Sequence, residues 1–495
     1  MNTTTQTLVS TALPASEPKT ELKYSRMIAD LPGPKPWPYV GNLFQLKLSK
    51  IHITMEKWIR QFGSLFRIEV FGRSILVVSD YAVVSGILRE RPGTFRRNQV
   101  GVNIMKELKI AGVFAAEGDD WRKQRKLVMR GLNAEVVRNF FPTLVRMTER
   151  LMLRWKTAIE NGKPVDVHRD LKAMSLDVIV AAAMGFDIDA LNHDGNQLQL
   201  DIDNLYRRLG SRIAAHYPYW RRFKLPVDKA ADRSAAGVEK AVLEFIKDTR
   251  EKLKQHPELL QKPSNMLEAM IAAIEDEGSS FTDQELVGNA ITSVVGGEDT
   301  TANSIAWMIN ALLQNPAAAA SLAAEADAVL GDEPLLRDFE KLSQLPYLEA
   351  SHNESQRLKM VAPVIGVVSN IDCVVADIFV PKNTIIFAST VGASFEEIHF
   401  PQSEKFLPER WIFDEKPDEG DDPTRKLFPF GTGARLCPGR FLALTEIKMV
   451  VSMIMHNFEL EFDKSAPPVR DLMNFFMVPS GVPVRLKLRT KKVGQ

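Results

Sequence analysis

The sequence predicts a mainly α-helical protein with a small β-rich lobe, folded as a single large domain. Three observations lead there. Helix-forming residues dominate from about 120 to 360. Strand signals cluster towards the two ends, at 65–78, 374–386 and 484–488. No internal repeat and no linker-like stretch divides the chain, so the roughly three domains suggested by length alone give way to one.

The elements follow in order. Residues 1–25 are rich in Thr, Ser, Ala and Glu, with no basic cluster ahead of an apolar run. They read as a flexible tail, neither signal peptide nor anchor, with the folded domain over 26–495. Leu31-Pro32-Gly33-Pro34-Lys35-Pro36-Trp37-Pro38 opens the folded body as a rigid non-helical segment, because each proline fixes φ and lacks a donor. A helix over 53–62 stops at Gly63, and 65–71 and 74–78 form a hairpin turning at Gly72-Arg73. Prolines 142, 164, 218, 226, 263, 316 and 346 mark expected breaks in the helical region.

The apolar run 178–186 is nine residues long, short of the ~20 needed to span a bilayer, and reads as buried helix. Thr282 and Glu285 make a capping box for a long helix over 283–313, closed by Pro316. Short strands surround Pro381-Lys382-Asn383, a long ordered loop runs over 399–430, a strong helix over 440–456, and a strand over 484–488.

Composition removes several classes. The formal charge is +1, against a generally basic nucleic-acid binder. Two cysteines, Cys373 and Cys437, exclude a disulfide framework and favour a cytoplasmic setting. Eight histidines show no paired ligand spacing, so a separate zinc site is not expected.

Four segments carry chemistry. In Phe430-Gly431-Thr432-Gly433-Ala434-Arg435-Leu436-Cys437-Pro438-Gly439-Arg440, three glycines surround one cysteine just before a helix. Such a loop can aim N–H groups at sulfur, and a helix N-terminus favours a thiolate; the bland alternative is an inert buried cysteine. Gly296-Gly297-Glu298-Asp299-Thr300-Thr301 puts glycines, acids and hydroxyls in mid-helix, which permits a local bulge or a packing kink. Glu354 and Arg357 share a helix face, as do Trp121 and Arg125. Alone, the first pair is a solvated ion pair and the second a basic amphipathic helix.

Together these segments resemble the cytochromes P-450, in the family's order and over residues 31 to 486. The resemblance implies the cytochrome P-450 fold and haem b, with Cys437 as the thiolate ligand of the iron. Phe430 would pack beside the sulfur, and Arg435, Trp121 and Arg125 would meet the haem propionates. Asp299 and Thr300 would be the acid and alcohol that relay protons to dioxygen; Glu298 projects about 100° away and is left out. Glu354, Arg357 and Arg410 would form a structural charge triad. By family register Phe114, Val295, Val364 and Phe476 are candidate pocket walls. One departure stands out: many members carry a basic residue about thirteen positions after the glutamate to meet a propionate, and 363–370 here has none.

The implied activity is hydroxylation or epoxidation of an apolar small molecule by a soluble, bacterial-type monooxygenase. Alternatives are a peroxide-using or rearranging haem-thiolate enzyme and a non-catalytic haem sensor; the acid–alcohol pair counts against the former. No flavin or iron–sulfur segment is evident, so electrons are expected from a separate ferredoxin or flavodoxin with its reductase. Arg122, Lys123, Lys126 and Arg130 are a candidate docking patch for it.

Overall fold

A computed structural model describes residues 9–11, 22–46, 50–215, 217–276, 279–413, 415, 417–418 and 422–490. The helices are α1 Ile51–Phe62, α2 Tyr81–Arg89, α3 Gln99–Glu107, α4 Gly118–Gly131, α5 Ala134–Glu160, α6 Val167–Met184, α7 Gln197–Ala214, α8 Pro226–Gln255, α9 Glu258–Gln261, α10 Met266–Glu275, α11 Asp283–Gln314, α12 Pro316–Leu330, α13 Pro346–Leu358 and α14 Arg440–Asn457. The strands are β1 Val9–Thr11, β2 Arg26–Met27, β3 Leu65–Val70, β4 Arg73–Val78, β5 Phe95–Arg97, β6 Val364–Ser369, β7 Cys373–Val375, β8 Ile378–Val380, β9 Ile385–Ser389, β10 Phe458–Phe462, β11 Asp471–Met473, β12 Met477–Pro479 and β13 Val484–Leu488. Mainly α with a small β-rich lobe is therefore the observed class.

Two compact units share the chain. The first draws on Met1–Asn103, Arg357–Lys405 and Phe413–Cys437. It holds a five-stranded sheet in the order β3-β4-β9-β6-β5 and a four-stranded sheet in the order β1-β7-β8-β2. Leu76, Val78, Ile87, Phe95, Val367, Ile378 and Ile386 form its core. The β3–β4 hairpin turns one residue earlier than the sequence suggested, at Phe71 and Gly72, with φ of 49° and 71°. Arg73 already pairs with Val70, because two residues at positive φ make the tight turn that matches strand twist. Val9–Thr11, inside the stretch read as a tail, pairs antiparallel with β7; the rest of 1–21 lies outside the described residues.

The second unit draws on Ile104–Gln356, Phe406–Ile412 and Pro438–Gln495. Its centre is α11, 32 residues long and packed along α6. The capping box at its start is formed: the Thr282 N–H donates to Glu285 at 2.7 Å and the Glu285 N–H to Thr282 Oγ1 at 3.3 Å. Of the run 178–186 read as buried helix, 178–184 is so; the helix ends at Met184, because Gly185 turns left-handed at φ 82° and caps it, which leaves Phe186 outside. Pro142 does not break the chain; it lies inside α5. Interior proline costs about 3 kcal/mol, and Asn133 capping Val136 at 3.0 Å together with buried Val137, Phe141, Leu144 and Val145 outweighs it. Between 399 and 430 the described residues form neither α-helix nor strand, only short 3-10 turns at Pro408–Trp411 and Pro423–Lys426.

Candidate active site

The cysteine loop belongs to the first unit. Gly431 and Gly433 sit at φ of 71° and 70°. A Cβ on Gly433 would stand 2.6 Å from the Arg89 Cα of α2, so glycine is required there for space as well as conformation. The Cys437 N–H donates to the Phe430 carbonyl at 2.9 Å and closes the loop. Cys437 and Arg435 are both half-buried, and α14 begins three residues after the cysteine. The other cysteine differs in kind. Cys373 is buried in the core of the sheet, where desolvation pushes its thiol up to about 12, so it stays protonated and inert. A half-buried soft donor on a glycine-shaped loop suits a haem-iron ligand.

The acid–alcohol segment lies on α11 in the second unit. The helix runs through it as unbroken α, without the bulge that two glycines permit. Each glycine has its own reason. A Cβ on Gly297 would meet Ile179 Cγ1 at 2.4 Å, so it lets α6 pack close; a Cβ on Gly296 would meet nothing within 4 Å. Thr300 Oγ1 donates to the Gly296 carbonyl at 3.0 Å, on this open face. Asp299 turns the other way and is buried against α6, 3.2 Å from Lys172 Nζ. Neighbouring residues on a helix diverge by about 100°, which explains the opposite directions.

Glu298 is fully buried beside Asp299, with Oε1 at 3.6 Å from the same ammonium. Burial, with Asp299 and Asp203 adding to it, holds its carboxyl well above the usual carboxylate range, against the pull of Lys172. Lys172 also pairs with Asp203 on α7. Burial alone would lower the lysine, but the carboxylates of Glu298, Asp299 and Asp203 raise it above its ordinary value. Sequence reading set Glu298 aside and missed Lys172 and Asp203. The available signal was a lone lysine within the buried stretch of α6.

Glu354 and Arg357 both lie on α13. Glu354 Oε1 accepts from Arg410 Nε at 3.0 Å and the Leu407 N–H at 2.9 Å, and Oε2 from Trp411 Nε1 at 2.8 Å. Arg357, fully buried, donates to the carbonyls of Ser394, Ser403 and Lys405 at 2.5, 2.7 and 3.0 Å. On α4, Trp121 is buried and Arg125 half-buried. The basic stripe beside them is partly spent within the unit. Arg122 pairs with Asp119, Lys123 with Glu285 at 2.7 Å, and Arg130 with Asp276 at 3.5 Å. Lys123 is thus tied to the α11 cap and does not face outward as the sequence suggested.

The candidate pocket walls are joined in part. Phe114 meets Phe475 with centroids 6.0 Å apart, Phe475 meets Phe476 at 4.8 Å, and Phe476 meets Tyr206 at 5.7 Å. The Tyr206 hydroxyl donates to the Val295 carbonyl. Tyr206 and Phe475 were not expected; Val364 stands on β6 in the first unit. The position thirteen after Glu354 is Val367, a core residue, and its direct cross-strand partner is Arg97 on β5.

A family model described as Cytochrome P450 matches residues 31–485. The chain belongs to the cytochrome P450 family. It is accordingly a haem-thiolate monooxygenase with haem as cofactor. Cytochrome P450 3A9 of Rattus norvegicus is 26% identical over 87% of this P450 and 85% of its own length. Sugiol synthase of Salvia miltiorrhiza is 24% identical over 92% and 93% of the two chains. A self-sufficient cytochrome P450 monooxygenase of Exserohilum turcicum is 25% identical over 94% of this P450 and 43% of its own length. These relatives are eukaryotic, so the bacterial type suggested by composition finds no support among them. Among the described residues, no helix is long and apolar enough to cross a membrane.

Proposed function

We propose that this P450 hydroxylates or epoxidises an apolar small molecule, with Cys437 as the thiolate ligand of the haem iron. The observation that carries the reading is the loop around Cys437, where Gly433 leaves no room for a Cβ. Bound haem supplies the activation of dioxygen. Side chains of this chain supply the rest. Phe430 would pack beside the sulfur, Arg435 and Arg125 would neutralise the propionates, and Trp121 would donate its indole N–H to one of them. Arg97 stands in for the basic residue absent at Val367. Directly paired antiparallel residues share a sheet face with Cβ atoms about 5 Å apart, and Arg96, on the other face, is committed to Ser369, Asn370 and Asn383.

Thr300 would exchange its bond to the Gly296 carbonyl for one that holds a proton at the reacting oxygen, and Asp299 would deliver that proton after turning away from Lys172, which it faces in this structure. Glu354, Arg357 and Arg410 hold the fold and do no chemistry. Phe114, Val295, Phe476 and Tyr206 exclude water from the substrate, with Val364 added by family register. Electrons come from a separate acidic ferredoxin or flavodoxin with its reductase. The protein works in solution in the cytoplasm, and its two cysteines support that reducing compartment.

The spectrum of reduced, carbon-monoxide-bound protein tests the central assignment. Wild type gives the far red-shifted Soret band of thiolate ligation, and Cys437→Ser loses it. A serine variant that keeps the band overturns the reading.

A further inference from the structure

The loop 108–117, which leads into α4, is seated on α11 within the second unit. The Val113 N–H donates to Asn289 Oδ1 at 2.7 Å, and the Gly112 N–H to Thr292 Oγ1 at 3.1 Å. Asn289 is completely buried, and its Nδ2 donates to the Glu285 carbonyl at 2.8 Å. One amide orientation alone meets both partners, with oxygen towards the loop N–H and nitrogen towards the helix carbonyl. Backbone meets backbone here. A Cβ on Gly112 would stand 2.4 Å from the Gly288 carbonyl oxygen and 2.4 Å from Thr292 Oγ1. Any other residue at 112 would push the loop off the helix.

The seat continues into a turn. The Gly112 carbonyl accepts the N–H groups of Ala115 at 2.9 Å and Ala116 at 3.2 Å. Val113, Ala115 and Ala116 are buried, whereas Phe114 between them is half-buried. Its ring meets Phe475 edge-on, at an interplanar angle of 81°. Thr292, Gly296 and Thr300 follow one another at intervals of four on α11, so they share a stripe of that helix. At 1.5 Å per residue, Thr292 stands about 12 Å along the axis from Thr300. The two loop bonds therefore fix Phe114 on the same helix that carries Thr300.

We propose that Asn289 and Thr292 are positioning residues that set substrate selectivity through Phe114. The inference rests on Phe114 being a wall of the substrate pocket. With the turn fixed, the phenyl ring occupies one place, and selection is by the shape of the apolar body that lies against it. Removing either side-chain acceptor leaves a loop N–H unpaired away from water. The turn then shifts until that donor finds another partner, the ring leaves Phe475, and the wall loses its edge. Ligands that lean on the wall lose affinity, and ligands too small to reach it do not.

Spectral titration of the haem-loaded protein with two azoles separates this from a purely structural role. Imidazole ligates haem iron through a ring nitrogen and is too small to need the wall. The compound 4-phenylimidazole ligates in the same way and carries a phenyl group. Asn289→Ala is expected to weaken 4-phenylimidazole about tenfold and to leave imidazole unchanged. Thr292→Val, close in shape to threonine, gives the same pattern, and Thr292→Ser restores wild-type affinity because the hydroxyl is kept. Amide hydrogen exchange over 111–116 is expected to speed up about tenfold in Asn289→Ala and Thr292→Val, and not in Thr292→Ser. Phe114→Ala weakens 4-phenylimidazole by itself, and adding Asn289→Ala to it costs nothing further, the mark of residues that act as one. Parallel weakening of both azoles, or additive losses in the double variant, would assign Asn289 and Thr292 to the fold alone and overturn the inference. Wild-type affinity for 4-phenylimidazole in both Asn289→Ala and Thr292→Val overturns it as well. If Phe114→Ala still weakens the ligand in that case, the pocket reading stands without the seat. If Phe114→Ala also binds it as wild type does, the pocket reading falls with the inference.

Discussion

Arg410 Nε lies 3.0 Å from Glu354 Oε1, although the residues are 56 positions apart. The carboxylate is completely buried, and it also receives Trp411 and the backbone of Leu407. A buried charge that accepts three hydrogen bonds is a fastening point between α13 and the turn at Pro408–Trp411. Arg357 fastens three carbonyls in the same manner.

Glu354→Ala strands the Arg410 guanidinium and two N–H donors, and Arg357→Ala strands three carbonyls. Breaking one side of such a network costs roughly 3–5 kcal/mol. Both variants are expected to yield little folded holoprotein, measured as haem per polypeptide and by thermal denaturation. A haem-replete variant with wild-type melting and slow chemistry would make these residues catalytic instead.

What the sequence revealed here was local in the chain. The α11 capping box, the hairpin at β3–β4 and the glycine loop before Cys437 each depend on residues within a few positions of one another. Asp299 and Thr300 were legible as a pair, but not their opposite directions, because Lys172 approaches from a helix 127 positions earlier. The same blindness hid the Lys123–Glu285 pair and the pairing of Arg97 with Val367. Pro142 misled for an energetic reason, since a local propensity yields to a buried helix face.

Thr300→Ala removes the only side-chain hydroxyl that the Gly296 carbonyl receives among the described residues. The helix should persist, because alanine is a better helix former than threonine. Electron-donor consumption is expected to continue while hydrogen peroxide replaces oxygenated product. The ratio of peroxide formed to donor consumed measures this directly. Full coupling in the variant would move the hydroxyl role elsewhere, with a substrate hydroxyl the next candidate.

Glu446 on α14 predicts a dependence of stability on pH. It is buried on the second unit's core, and burial pushes its carboxyl up to about 7 against the 2.6 Å bond from Ser175. The unfolded chain loses this proton near pH 4.5. Between the two values the folded state holds the extra proton, so its stability is full below the unfolded value and falls as pH rises through about 7. The effect is about 3 kcal/mol at full extent. Glu446→Gln is expected to flatten the decline in melting temperature between pH 5 and pH 8 and to melt higher than wild type at pH 8. Parallel melting curves across that range would show that Glu446 ionises freely in the folded protein.

The electron donor supplies the last prediction. Of the basic residues on α4, Lys123 is held by Glu285 at the start of α11, so reversing its charge would break a helix cap rather than a docking surface. Arg122 and Lys126 are exposed, and Arg122 is opposed only by the neighbouring, 94% exposed side chain of Asp119 among the described residues. An acidic ferredoxin would approach such a surface by electrostatic steering, which is screened over about 8 Å at physiological salt. The rate of first-electron transfer, followed by stopped flow, is expected to fall steeply as salt rises. Arg122→Glu with Lys126→Glu should lower it about tenfold further. Both substitutions leave Trp121, Arg125 and the pocket aromatics in place, so substrate affinity should not change. A rate indifferent to both salt and charge reversal would show that the exposed charges of α4 serve solubility, and that the donor docks on another surface.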